Sequence, residues 1–239
     1  MNLSDPKFAF IDVTVFNRAE GLRGTRSIPC LPPQLTLQDE IDSFGRDRFD
    51  AELRNYVSDM PPAYTEHVVV QKSRPNIAIP LALYIDGVQY ATRNSLIGVW
   101  LVNLVTQRRH LMVNIRKDSL CRCGCKGWCT LWAIMSFVSW CIKVLSLGVH
   151  ASTRADGVAF ENAERNLRER ANTPCPVGAI VFLKVDLAEF GATLGFWTTA
   201  SNRYPCFLCN ATRDRMIDFE RWDAITHPFV ERTWGRVPS

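Results

Sequence analysis

The stretch Ile79-Pro-Leu-Ala-Leu-Tyr-Ile-Asp-Gly-Val-Gln-Tyr90 constrains this chain more than any other. Six apolar or aromatic positions run from Leu81 to Val88, interrupted by one acid, Asp86, and its neighbour Gly87. A run of this kind reads as a strand buried on both faces. Pro80 is tolerated because it stands near the strand's start. A carboxylate at the end of such a strand is costly unless a basic side chain or a metal ion pairs with it. Gly87 lets the backbone bend there or approach another group closely. A plainer reading stays open beside this one. Asp-Gly is a common turn pair, and Asp86 would then only start a turn.

The elements around this strand are read in chain order. Residues 1–76 form an N-terminal extension, irregular and partly helical. Arg23 to Gln38 shows no period and carries turn chemistry in Pro29, Pro32 and Pro33. From Leu37 to Met60 the apolar residues Ile41, Phe44, Phe49, Leu53 and Val57 recur among charges, predicting an amphipathic helix broken near Gly45 and stopped by Pro61-Pro62. His67-Val-Val-Val70 predicts a short strand. The strand Ile77–Ile85, a second from Leu96 to Val105 and a third from His110 to Ile115 follow on short connections, which predicts an antiparallel meander. Trp128 to Leu147 keeps a helical period, and Ala159 to Arg170 is helical in propensity. Ala179-Ile-Val-Phe-Leu-Lys-Val-Asp186 mirrors the first strand: an apolar run, then an acid. Residues 211–239 form a tail without a clear period.

Composition narrows the class. With 239 residues, 47% hydrophobic and 22% charged, the chain can bury a sizeable core. Its charge is uneven. Residues 1–60 carry 7 Lys and Arg against 10 Asp and Glu, residues 61–130 carry 9 against 3, and residues 131–239 carry 12 against 11. The positive excess therefore surrounds the central strand and suits a polyanionic partner. Arg108, Arg109, His110, Arg116, Lys117, Arg122 and Lys126 supply most of it, as phosphate contacts or as a solvated face. Met1 to Lys7 has no apolar core, so no secretory signal is expected. The most membrane-like stretch, Gly127 to Ile142, has 16 residues before Lys143, short of the ~20 that a span needs, and is read as a buried helix without a membrane.

Two constellations carry chemistry. If the fourth strand lies parallel beside the first, Asp86 and Asp186 become neighbours on strands ~4.8 Å apart and can share a divalent metal. Hard carboxylate ligands suit Mg2+ or Mn2+, and two such ions can stabilise both the attacking and the leaving oxygen of a phosphodiester. The alternative is two unrelated strand-end turns. The second constellation is thiol-rich. Nine cysteines in a chain without a secretory signal argue for thiols and metal rather than disulfides. Cys121, Cys123, Cys125 and Cys129 are dense enough for Zn2+, although Cys-x-Cys-x-Cys is not a usual finger spacing. Cys206 and Cys209 have the spacing of half a tetrahedral site, which His227 or Asp223 could help complete. One shared zinc site or two separate ones are both open. Cys30, Cys141 and Cys175 read as plain thiols.

The order meander, helix, parallel strand, with an acid on the first and fourth strands, resembles the RNase H-like fold of DDE-type transposases, in the group of the hAT and Plavaka-like elements. The residues that carry the resemblance are Tyr84-Ile-Asp86-Gly, Leu183-Lys-Val-Asp186 and Cys206-Phe-Leu-Cys209. It covers residues 77–210 and implies an α/β, RNase H-like mixed sheet with a cysteine-rich insertion. It also implies metal-dependent cleavage and strand transfer on DNA in the nucleus, with Asp86 and Asp186 as the catalytic acids. A homo-oligomer is left open. Such enzymes use a third acid, usually Glu, on a later helix. Glu220 and Glu231 are the residues available, and neither stands in that pattern, so nuclease activity is expected to be weak or absent. The rival class is a non-enzymatic, zinc-stabilised module that binds nucleic acid or protein.

Overall fold

From Ala9 to Val15 every second side chain is apolar, the period of a strand with one buried face. The computed structural model of the chain describes residues 7–92 and 94–185, and every structural statement below concerns those residues. Strand β1 (Ala9–Asn17) pairs antiparallel with β2 (Leu22–Cys30), from Ala9 opposite Cys30 to Asn17 opposite Leu22. Ala9, Ile11, Val13 and Val15 are buried. This hairpin corrects the expectation of an irregular lead-in: Pro29 is accommodated within β2, opposite Phe10, and only Pro32 and Pro33 follow the pairing. The buried Glu164 and the half-buried Arg154 anchor β1. The Phe10 N–H donates to Glu164 Oε1 at 3.3 Å, and Arg154 Nη2 donates to the Phe10 carbonyl at 2.9 Å.

Helices α1 (Pro33–Phe44) and α2 (Arg46–Ser58) meet at Gly45, the expected break, where φ is +88°. Two short helices follow, α3 (Pro62–Thr65) and α4 (Val68–Ser73). The latter corrects the expected strand at His67–Val70. The His67 ring accepts from the Val69 N–H at 3.2 Å and caps the helix, while Val70 alone of the helix is buried. β-propensity is weak where no strand lies alongside to pair with.

The central stretch forms β3 (Ile79–Ala91), which pairs antiparallel with β4 (Asn94–Asn103), and β4 pairs antiparallel with β5 (Arg109–Arg116). Helix α5 (Trp128–Leu147) has the expected bounds. A short helix, α6 (Arg165–Glu169), stands where a longer one was expected, and β6 (Gly178–Val185) closes the described chain. The strand order is β5-β4-β3-β6 in a sheet that is mixed, with antiparallel and parallel strands. The fourth strand therefore does lie beside the first of the meander. β6 is less buried than expected. Ala179 is fully enclosed, but Phe182 and Leu183 are exposed at the edge of the described sheet.

The core is sealed by one polar pair of long sequence separation. Glu40 on α1 and His110 on β5 are both buried, with Glu40 Oε2 and His110 Nε2 2.6 Å apart. Thr106 donates to the other Glu40 oxygen. Burial alone would raise the Glu40 carboxyl, but hydrogen bonds from His110, Thr106 and Asn103 outweigh it, so the group sits below its ordinary range. α5 buries eight residues, Leu131, Ile134, Phe137, Val138 and Leu145 among them, and packs on β1 and α1. By length and composition alone it is apolar enough to cross a bilayer. Its sequence also holds Ser136, Ser139, Lys143 and Ser146.

Candidate metal centre

The loop between β5 and α5 contains Gly124, Lys126 and Gly127, all with positive φ, at +90°, +51° and +88°. Two glycines adopt this backbone without strain, while Lys126 is an uncommon residue there. The result is a tight double bend that turns successive cysteines inward. The sulfurs of Cys121, Cys123, Cys125 and Cys129 all lie within 4.8 Å of one another. Cys123 and Cys129 are 3.7 Å apart, sulfur to sulfur. A tetrahedral ion with sulfurs at ~2.3 Å sets its ligands ~3.8 Å apart, so the cluster already stands near that spacing. A group of four cysteines compatible with zinc is therefore present, and its members come from one stretch of nine residues.

Neighbouring groups hold the cluster in this arrangement. Thr130, fully buried, accepts from the Cys121 N–H at 2.9 Å and donates to the Thr14 carbonyl of β1. The Cys129 N–H points at Cys125 Sγ, 3.5 Å away, at the first turn of α5. Burial opposes ionisation of Cys125. The N–H groups of Cys129 and Gly127 and the thiols of Cys123 and Cys129 overcome it and bring Cys125 down to about 6. Cys129 moves the other way, to about 12, because its neighbours form hydrogen bonds with it as a thiol and because it is shielded from solvent. A divalent ion would favour all four thiolates, with Arg122 and Lys126 close in sequence to offset the negative charge.

The carboxylate constellation is built differently. Asp86 is half-buried and lies within β3, which runs on to Ala91. It pairs across the ladder with Gly98, and Gly87 pairs with Ile97. Two corrections follow. Asp86 does not end its strand, because the outer half of β3 stays paired with β4 after the apolar run stops. Asp86-Gly87 is not a turn either. The Tyr84 hydroxyl donates to Asp86 Oδ2 at 2.6 Å, and the Tyr84 and Trp100 rings lie 5.4 Å apart. Trp100 extends across Gly98, where any Cβ would collide with its ring at 2.1 Å. Arg109 stands 5.4 Å from the Tyr84 ring. Asp86 thus belongs to an aromatic and basic face of the sheet. Asp186, Cys206, Cys209 and His227 lie outside the described residues, as do Asp223, Glu220 and Glu231.

Most of the basic stretch stays at the surface. Arg108, Arg109, Arg116, Arg122 and Lys126 are exposed, with Arg116 over Tyr90 and Arg122 over Phe16. His110 departs from that group, since Glu40 holds it in the core. Sequence reasoning missed Tyr84 as the partner of Asp86 and Thr130 as the clamp of the cysteine loop. The period of two that puts Tyr84 and Asp86 on one face could have found the first; nothing in sequence marks the second. No protein family, curated protein or solved structure matches this chain.

Proposed function

We propose that this chain is an RNase H-like nucleic-acid-processing domain of the transposase type, with a divalent Mg2+ or Mn2+ ion between Asp86 and Asp186 and a structural Zn2+ in the cysteine group. The strand order carries the reading: β6 lies beside β3, the strand that bears Asp86. The Ile79 N–H donates to the Val177 carbonyl at 2.8 Å. In a parallel ladder that bond sets Gly178 level with Ile79. Asp186 follows β6 directly in sequence. If the two carboxylates meet, they would repel each other without a cation between them. DNA is the substrate class that this chemistry and the exposed arginines suit, and a nuclear location goes with it.

A third acid is not to be had from α5, since no Asp or Glu occurs between Asp118 and Asp156. Glu220 and Glu231 are the candidates for that role. With one ion poorly fixed, cleavage is expected to be slow. The test is nicking of supercoiled DNA in Mn2+, with Asp86→Asn beside the wild type. Slow nicking that the substitution abolishes supports the reading. Nicking that survives it, or none at all, counts against an enzyme.

A second reading is favoured by the cysteine group itself, which is complete without either acid. In that case the domain is a zinc-stabilised module that binds nucleic acid or protein, and Asp86 is only a polar member of an aromatic face. Wild-type protein that carries zinc and binds DNA, yet neither binds Mn2+ nor nicks, is the outcome this second reading expects.

A further inference from the structure

We infer that the exposed face at the start of α5 is a stacking platform for unpaired bases of single-stranded nucleic acid. From the reading above it takes only that the partner is a nucleic acid; its residues are separate from Asp86 and from the ion there. Trp132 is 63% exposed and Trp128 38%. They stand four residues apart, on one face of the helix. Their rings lie 6.2 Å apart at 57°. A tryptophan as exposed as Trp132 leaves a large apolar surface in water, and stacking on a base would cover it.

Three further features select the ligand. The first is charge. From residue 119 to residue 155 there is no Asp or Glu, while Arg122, Lys126 and Lys143 in that stretch are all exposed. A phosphate backbone passing the tryptophans therefore meets only positive side chains from this segment. The second is the stripe that continues from Trp132 down the helix. At helical spacing it reads Ser136, Ser139 and Lys143, which is polar. A face that inserted into a bilayer, or into an apolar groove of a protein, would continue with apolar residues. The third is rigidity. Leu131 and Ile134, on either side of Trp132, are buried, and the bent cysteine loop with the buried Thr130 fixes the turn that carries Trp128. Indoles held in this way need little ordering when a base arrives. Duplex bases are already stacked on each other and offer no face, so the platform fits single strands.

The test uses the full chain and fluorescent single strands of about 12 nucleotides, oligo-dT and oligo-rA, beside a duplex of the same length. Trp132→Ala and Trp132→Leu should weaken single-strand binding roughly 5- to 100-fold, the range expected for one stacked base. Trp132→Phe should keep most of it. Leu147→Ala, at the far end of α5, should change nothing. Lys126→Gln should lower the salt slope of single-strand binding by about 0.7, the value for one phosphate contact. Trp132→Leu keeps the apolar bulk, so its loss reads the ring and not the fold; zinc content and circular dichroism check that each variant is intact. Wild-type affinity in Trp132→Leu would overturn the inference. So would an equal loss on duplex, or Trp132-dependent partition onto phosphatidylcholine–phosphatidylserine vesicles without oligonucleotide binding. Asp86→Asn separates the two proposals: it should abolish Mn2+ binding and leave single-strand binding as it was.

Discussion

The cysteine group and the proposed Asp86–Asp186 pair differ in the scale over which their ligands must be gathered. The first draws four sulfurs from residues 121–129. The second needs two acids that stand one hundred residues apart, at 86 and 186, to meet. Closing a short loop costs little entropy, and the cost of a longer one grows slowly with its length. A local cluster can therefore be formed by two glycines, one strained lysine and one helix start. A distant pair exists only when the sheet around it has assembled. The Glu40–His110 pair, seventy residues apart, is a completed example of the second kind.

The comparison breaks first at zinc. If the cysteine group is a closed site, purified protein carries one zinc per chain, and chelation or Cys123→Ser destabilises the fold by several kcal/mol or more. Zinc measured in wild type and variant, with thermal unfolding, decides this. Wild-type protein without metal under reducing conditions removes the local site altogether.

The next effect is expected at Glu40. Removing one member of a buried pair leaves the other uncompensated, so Glu40→Ala should cost about 3–5 kcal/mol. The pH dependence has a definite sign. Glu40 titrates in the fold below its ordinary value of 4.5. Its contribution is therefore complete above that value and is lost as pH falls through the lower, folded one. Denaturant unfolding of wild type between pH 6 and about 3 should show the loss, and Glu40→Gln should flatten that part of the curve. A curve unchanged by the substitution would show that this pair does not lock α1 to β5.

A smaller effect is expected on the sheet face. Tyr84→Phe removes the hydroxyl that holds Asp86 and should cost about 1 kcal/mol in unfolding free energy. If Asp86 is a metal ligand, the same change should weaken Mn2+ binding several-fold, because a second-shell partner orients the carboxylate. A stability loss with unchanged Mn2+ binding would mark the bond as structural.

Sequence carried the regular elements well where the pattern was local. Helix α5 shows its 3.6 period from Leu131 to Leu145, and both its ends fall as expected, beside Gly127 and Gly148. The meander was legible for the same reason. The N-terminal hairpin was missed although β1 alternates cleanly, because its partner β2 is mostly exposed and has little apolar pattern. At the candidate sites, density alone marked the four cysteines. That they suffice for one cluster depends on three positive φ angles, which only Gly124 and Gly127 hint at. Asp86 was conspicuous in an apolar run, yet the continuation of β3 beyond it was hidden, since Val88 and Gln89 are paired but exposed and Tyr90 is exposed at a register irregularity. His110 looked like part of a basic surface. Nothing in sequence announces an acid seventy residues away.

One measurement bears most directly on the shared ion: Mn2+ binding by calorimetry and electron paramagnetic resonance to wild type, Asp86→Asn and Asp186→Asn, with the zinc site loaded throughout. A shared ion predicts a manganese site in wild type that both single variants lose, with zinc content unchanged in all three proteins. Manganese retained in either variant, or none bound by the wild type, would contradict it.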